Sequence, residues 1–361
     1  MKWTIEKIKH FIDTNGHYAY PAAFLTGFIV DNFTLTRIDL WFDNLILFSY
    51  LLVAGISIAL FSIFEEKELG KFTGKVFPWI PIVMQFAFGG LFSGYLIFYT
   101  RSASLAASWF FVLLLTTLFI GNEFLKKHYA RFTFRTSIFF LAIFSFTIFY
   151  VPIVLNTFGA WTFILSGTIS LLLIWFFVFV LSKFIPNKIR NSKKMLIGSI
   201  GAIYVAMNIM YFTNIIPPIP LSLKDAGVYH LVERIGGGNY EVLSEQKKWY
   251  EFLQKEKFHR AVGEPAYVYS SVFAPTDINT EIFHRWQYFD SASGEWETTG
   301  LIQFPIAGGR DEGYRGYSMK HAVFPGDWRV DVITKREQLL GRVSFEIVDT
   351  QEQVDLQSKI K

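Results

Sequence analysis

The chain has 361 residues, 52% of them hydrophobic and only 18% charged, and its 40 phenylalanines are too many for one soluble core to bury. It contains no cysteine, which excludes disulfides, thiolate metal ligands and a cysteine nucleophile. Lys and Arg outnumber Asp and Glu by 17 to 9 up to residue 222, but the counts beyond it are 17 and 21. The basic charge therefore belongs to a membrane half, and it needs no nucleic-acid partner.

Seven apolar stretches of about 20 residues are predicted to cross a lipid bilayer as helices. They lie at 18–36, 45–64, 77–100, 105–122, 134–154, 158–182 and 195–215. The first has a purely apolar core of only 18–30 with Pro21 near its start, so a re-entrant or interfacial segment is its alternative. No cleavable signal peptide is predicted, because Asp31 ends this stretch without a small-residue cleavage pattern.

The short connections between these stretches differ in their basic residues. Alternate connections, beginning with the N-terminal segment, carry 15 Lys and Arg, whereas the others carry only Arg37 and Arg101. Because basic connections stay in the cytoplasm, seven spans predict a cytoplasmic N-terminus and an exported region after Leu221. Omitting the first span would change only the side on which the N-terminus lies.

Pro217, Pro218 and Pro220 mark a change in the sequence pattern. Because proline fixes φ, residues 216–222 are predicted as a semi-rigid linker between a helical domain (1–215) and a β-rich domain (223–361). Alternating apolar and polar residues predict strands at 227–234, 265–274, 280–289, 299–306, 314–323, 327–334 and 341–348. Ser244 as an N-cap predicts one short helix at 244–255. The predicted fold is thus an α-helical transmembrane bundle followed by an all-β, immunoglobulin-like sandwich with one short helix.

Several motifs resemble one bacterial family. The C-terminal motifs are HRWQYFD (284–290), GGRDEGYRGYS (308–318), PGDWRVDV (325–332) and LLGRVSFEIV (339–348). They resemble the module called domain of unknown function 2914, and GFIVDNFTLTRID (27–39), FGGLFSGYLIFYTRSAS (88–104), GNE (121–123) and IPPIPLS (216–222) resemble its usual membrane partner. The resemblance implies a bacterial inner-membrane protein with a periplasmic module, and it implies no activity. One departure is Lys335-Arg336-Glu337, where a glycine-containing turn is expected.

One cluster of arginines and aromatics in the β-rich half is a candidate ligand site. Arginine binds carboxylate or phosphate through two parallel hydrogen bonds, and aromatic faces stack on sugars or flat groups. The alternative interpretation makes the tryptophans core residues and pairs the arginines with nearby aspartates. The cluster consists of His284, Arg285, Trp286, Arg310, Tyr314, Arg315, Trp328 and Arg329.

Catalysis by this cluster is disfavoured. His284 can serve as a general base, but no serine or aspartate spacing suggests a triad and no G-x-S-x-G occurs. The histidines of this half are scattered, without H-x-H or HExxH spacing, so no metal site is predicted. No cofactor motif is present either.

Two groups in the helical half are further candidates. Asp31, Arg37 and Asp39 are interpreted as an ion-pair network between the first two spans that shapes the turn or docks the β-rich domain. Gly90 and Gly94 form GxxxG, which lets helix backbones approach closely. Packing within the bundle and homo-oligomerisation are the two interpretations of that motif.

The leading hypothesis for function is a non-catalytic envelope protein. Its membrane bundle would anchor a periplasmic domain that binds an envelope protein, a glycan or a lipid headgroup. The alternative is a membrane enzyme or carrier acting on lipid-linked envelope material. A transporter is disfavoured, because the spans hold almost no ionisable groups.

Overall fold

The described part of the chain is helical up to Phe212 and forms strands from Ser222 onward. The computed structural model describes residues 28–29, 31–35, 40–66, 77–102, 105–124, 131–218, 221–246, 256–274, 279–307, 313–352 and 354–361. Six α-helices of 20 residues or more come first: α1 (Trp41–Glu66), α2 (Ile80–Ser102), α3 (Leu105–Phe124), α4 (Phe132–Leu155), α5 (Ala160–Ser182) and α6 (Pro186–Phe212). Eleven strands follow: β1 (Ser222–Tyr229), β2 (Leu231–Arg234), β3 (Tyr240–Glu245), β4 (Glu256–Arg260), β5 (Ala266–Phe273), β6 (Asn279–Asp290), β7 (Glu295–Ala307), β8 (Tyr314–Lys320), β9 (Gly326–Thr334), β10 (Leu339–Asp349) and β11 (Leu356–Ile360).

Five of the helices, α1, α2, α4, α5 and α6, are long and apolar enough to cross a membrane. In α3 the corresponding apolar stretch is shorter, Ser108–Leu118. The predicted first span lies mostly outside the described residues, which are helical at 28–29 and 31–34. Seven spans therefore stay a prediction, whereas five helices of spanning length are present.

Helix α6 begins nine residues before the predicted start at residue 195. Its first turns carry Lys188, Arg190, Lys193 and Lys194. Lysine and arginine are good helix formers but are costly in lipid. A search for apolar residues alone therefore missed the charged beginning of the helix.

The strands form three sheets. Their orders are β1-β5-β8, β4-β10-β9-β6-β7 and β11-β3-β2. Neighbouring strands pair antiparallel, except that β4 runs parallel to β10. The predicted immunoglobulin-like sandwich stays a prediction, and a β-rich region of sheets is what the structure contains.

Two apolar clusters join the sheets face to face. In the first, Val268 of β5 packs with Trp286, Trp328 and Phe345 of the five-stranded sheet. In the second, tyrosines of β1 and β5 pack with Val232 and Val242 from the β2-β3 pair. The sheet β1-β5-β8 is thus covered on both faces, and it lies between the other two sheets.

The predicted helix at 244–255 was wrong at its start, because Ser244 and Glu245 end strand β3. Residues 247–255 lie outside the described part of the chain. The predicted strand 227–234 is two strands, β1 and β2, which pair with different neighbours. Strands β3, β4 and β11 were not predicted, since each is only five or six residues long.

The β-rich region forms one compact unit with Tyr99–Val112, Val151–Leu165 and the end of α6. The turn between β9 and β10 contacts that helix end. The Arg336 guanidinium lies 4.3 Å from the ring centroid of Tyr211 and 5.6 Å from that of Phe212, and its carbonyl accepts a hydrogen bond from Asn214. Glu337 follows with a φ of +61°, so a left-handed residue is present where a glycine was expected.

Candidate ligand-binding site

The residues predicted to form one ligand site lie in different parts of the β-rich region. His284, Trp286 and Trp328 point into the core and are 0% exposed, whereas Arg285 and Arg329 alternate with them on the other face of the five-stranded sheet. Tyr314 and Arg315 belong to β8 in another sheet, and Arg310 lies outside the described residues. Among the described members of the cluster, Arg285 and Arg329 are the two that share a surface.

His284 connects three strands inside the core. Its Nε2 lies 2.8 Å from the Ser270 hydroxyl and its Nδ1 lies 2.8 Å from the Ser318 hydroxyl. Ser318 also accepts a hydrogen bond from the Trp286 indole at 2.9 Å. Burial lowers the pKa of His284 to about 3. The imidazole is therefore neutral and reaches no solvent, so it does not act as a general base in this structure.

Arg315 and Tyr314 also have internal partners. The Arg315 guanidinium donates to the Gly238 carbonyl at 3.2 Å and to the Asn239 side chain at 2.8 Å, which ties β8 to the turn after β2. Tyr314 packs against the apolar cluster around Leu221. Both residues thus have structural contacts away from the other two arginines.

A fully buried carboxylate organises the outer face of the five-stranded sheet. Asp331 of β9 lies opposite Arg285 of β6 and Arg342 of β10. Arg342 binds both of its oxygens, at 2.5 and 3.0 Å, and Arg285 donates to one of them at 2.9 Å. Burial by itself raises the pKa of the Asp331 carboxyl, but the hydrogen bonds and charges of Arg342 and Arg285 outweigh it and lower the pKa. Asp331 is therefore ionised and fixes both guanidiniums.

A third arginine lies beside this pair and bonds to neutral groups. The Arg329 Nε donates to the Gln287 side-chain oxygen at 2.8 Å, and its guanidinium lies 4.2 Å from the ring centroid of Trp296. Trp296 in turn contacts Phe289, with ring centroids 5.3 Å apart. These aromatic rings are partly exposed. The face therefore presents a cation held on an aromatic surface.

The outer face carries charges of both signs: Asp327 and Glu346 alternate onto it beside Arg329 and Arg342, and Glu337 lies 3.8 Å from Arg285. Three guanidiniums, of Arg285, Arg329 and Arg342, surround the one buried carboxylate of Asp331. Burial lowers the pKa of Arg329, and the positive charges of Arg342 and Arg285 lower it further, while the Asp331 carboxylate opposes them. A bound carboxylate or phosphate would offset this like-charge repulsion.

The sequence-based prediction contained two of the three arginines. Arg342 and Trp296 were not included, although both alternate outward in their strands. The signal for them was register: Arg342 lies opposite Asp331, and Trp296 lies opposite Phe289. The register between strands that lie far apart in the sequence cannot be derived from a single sequence, and a shift of one residue would exchange the faces of the strand.

The candidates in the helical half lie within one compact unit. The Asp31 carboxylate accepts a hydrogen bond from Ser93 of α2 at 2.6 Å, and Arg37 and Asp39 lie outside the described residues. A Cβ on Gly90 would lie 2.6 Å from the Tyr50 ring, and one on Gly94 would lie 2.5 Å from Leu47. Both glycines therefore pack α2 against α1 within the chain.

No metal site is present among the described residues, since no group of three His, Cys, Asp or Glu is placed to hold an ion. The features in place are helices of spanning length followed by a β-rich region with an arginine-rich sheet face. Together they define a chain with a helical part able to cross a membrane and a C-terminal β-rich module.

Within that module, residues 279–347 match a family described as "Protein of unknown function (DUF2914)". This match confirms the resemblance predicted from the C-terminal motifs, and it covers β6 to β10 with the whole arginine-rich face. The family carries no assigned activity.

Comparisons with other proteins add no functional information. No curated protein matches the chain. A beta-glucosidase structure from Listeria innocua is 14% identical, with 30% of this chain and 16% of that enzyme covered and a TM-score of 0.19. The alkylpurine DNA glycosylase AlkC of Pseudomonas fluorescens is 10% identical, with 87% and 100% covered and a TM-score of 0.23. The chain thus spans about a sixth of the glucosidase, and neither likeness carries an argument.

Proposed function

We propose that the chain is a membrane-anchored binding protein whose β-rich module recognises an anionic group on an envelope polymer, protein or lipid headgroup. The observation that carries this proposal is the sheet face on which Arg285, Arg329 and Arg342 surround one buried carboxylate. Asp331 holds two of the guanidiniums in place before a ligand arrives, so little side-chain entropy is lost on binding. Trp296 adds an aromatic surface on which a sugar ring or flat group can stack.

The topology belongs to the same proposal. The 15-to-2 distribution of basic residues supports a cytoplasmic N-terminus and an exported β-rich region. Seven spans rest on the apolar stretches, the sandwich on the strand pattern, and a bacterial inner membrane with a periplasmic module on the family resemblance. The five helices of spanning length support the membrane part. A periplasmic phosphatase reporter fused after Leu221 should be active, and activity of only a cytosolic reporter at that point would overturn the topology.

Binding can be tested by calorimetry on the full chain in nanodiscs. Oligogalacturonate represents a carboxylated glycan, and glycerol phosphate represents a lipid headgroup. Arg329→Gln should weaken binding by roughly 10- to 150-fold, since one charge-assisted hydrogen bond contributes roughly 1.5–3 kcal/mol. Arg329 is the residue to change, because removing Arg285 or Arg342 would also uncover the buried Asp331.

The matched control is Arg234→Gln, at an exposed arginine of β2. It should leave the affinity unchanged. Binding should also weaken as salt rises, because exposed charges are screened. Equal binding by the Arg329→Gln protein, or no binding of either anion by the folded wild type, would refute the proposed site.

Within the described part of the chain, no feature favours the alternative function, a membrane enzyme or carrier. His284, the predicted general base, is fully enclosed between sheets.

A further inference from the structure

A concave site lies on the sheet β11-β3-β2, away from the arginine-rich face. It is a cleft of about 620 Å³, which falls within the range of small-ligand sites. Leu231, Leu243 and Leu356 form its apolar floor, since Val232 and Val242 alternate with the first two and face the opposite way into the core. The cleft is therefore a surface feature of the outer sheet face.

Two loops form the walls. The β4–β5 loop contributes Glu264 and Pro265, and the β10–β11 loop contributes Thr350 and Glu352. Glu264 is held in place, because its carboxylate accepts a hydrogen bond from the Ala261 amide at 3.1 Å. The described residues that line the cleft include these two carboxylates and no lysine or arginine.

A fixed polar group completes the lining. His230, whose side chain is 9% exposed, stacks on Phe258 at 4.3 Å and lies 3.2 Å from a Glu245 oxygen. Glu245 also accepts hydrogen bonds from the His259 amide at 2.6 Å and from its ring at 2.8 Å. Burial raises the pKa of Glu245, but the hydrogen bonds from His230 and His259 outweigh it and lower the pKa. A third carboxylate is thus ionised behind the wall.

We propose that this cleft binds a small organic ammonium, with the cation between Glu264 and Glu352 and its aliphatic part on Leu231, Leu243 and Leu356. Charge complementarity carries the choice of a cation, and the leucine floor selects an ammonium on a carbon chain over an inorganic cation. This site is independent of the arginine-rich face, for which a ligand of the opposite charge is proposed. The two can be tested separately.

Three five-carbon probes test the assignment: cadaverine, pentanediol and glutarate, which differ in charge but not in chain length. Each is water-soluble and can be titrated by calorimetry into the full chain in nanodiscs. Saturable binding is expected for cadaverine only. The Glu264→Gln/Glu352→Gln double variant should bind cadaverine about tenfold more weakly, as two partly exposed ion pairs are lost.

Two further variants distinguish the loss of a ligand contact from unfolding of the protein. Leu356→Ser should weaken cadaverine binding through the floor, whereas Glu297→Gln, an exposed glutamate of β7 outside the cleft, should change nothing. Equal binding of pentanediol, unchanged affinity of the double variant, or no saturable cadaverine binding by the folded protein would each overturn the proposal. Failure of oligogalacturonate binding would leave it unaffected.

Discussion

The buried histidine of the β-rich module should make the fold sensitive to mild acid. His284 has a pKa of about 3 in the folded protein, because it is completely buried, and an ordinary value of 6.5 in the unfolded chain. Below pH 6.5 the unfolded chain therefore binds a proton that the folded protein does not. The stability contributed by neutral His284 is complete above pH 6.5 and is lost as the pH falls toward 3.

The contribution of His284 to the free energy of unfolding can be measured separately at a pH above that at which the carboxylates are protonated. The free energy of unfolding should fall by at most about 1.4 kcal/mol per pH unit. Between pH 6.5 and 4.5 this is about 3 kcal/mol from His284 alone. The lowered pKa values of Asp331 and Glu245 place their own losses at lower pH.

The assay exploits the absence of cysteine from the chain. Val330→Cys places one thiol at a fully buried position, and its reaction with a disulfide reagent active in acid reports urea unfolding at each pH. In this background His284→Asn should reduce the pH dependence by about 3 kcal/mol across the window. His321→Asn, at an exposed histidine, is the control. Equal pH dependence in all three proteins would refute the reasoning.

Three further changes test the packing. Asp331→Asn should lower the free energy of unfolding by about 1–3 kcal/mol in thermal unfolding, because a neutral buried amide replaces the charged acceptor of the partly exposed Arg285 and Arg342, whereas the exposed Asp355→Asn should be neutral. Gly90→Ala should destabilise the helical part by about 1–3 kcal/mol in detergent unfolding, because its Cβ meets the Tyr50 ring; Gly198→Ala, with nothing within 4 Å, should not. Glu337→Gly should stabilise by about 0.5–1 kcal/mol, because only glycine adopts its positive φ without strain.

The local pattern of apolar and polar residues was sufficient to predict the helices and most of the strands. Apolar length alone located α1, α4 and α5 to within a few residues, because both the exposed and the buried residues of these helices are largely apolar. Alternation located β6, β9 and β10, whose core residues include Trp286, Val330 and Phe345. Each of these elements can be predicted from its own stretch of sequence.

The candidate site needed information that no single stretch contains. His284, Arg285 and Trp286 are adjacent in sequence, yet the pleat sends Arg285 to the opposite face from its neighbours. Arg342 joins that face only because β10 pairs with β9 in the observed register. The interpretation of Trp286 and Trp328 as core residues agrees with their burial, and the pairing of Asp331 with an arginine is present as well.

The unexpected turn at Lys335-Arg336-Glu337 constrains what can reach the arginine-rich face. Arg336, in the turn after β9, contacts Tyr211 and Phe212 at the end of α6, and Arg329 lies seven residues earlier, within β9. At about 3.3 Å per residue the strand separates Arg329 from that helix end by up to about 23 Å. In the proposed membrane topology, a headgroup would therefore reach Arg329 only if β9 lay along the bilayer surface, whereas a polymer or protein would reach it in any orientation.

We accordingly expect the ligand to come from outside the bilayer. Ser344 lies opposite Arg329 in β10, so Ser344→Cys carries a single spin label beside the site in a chain without other thiols. Nickel-chelating lipids should relax this label much less than a label at Phe212→Cys on the end of α6. Equal relaxation of the two labels would place the arginine-rich face at the headgroups, and the anion it binds would then be a lipid phosphate.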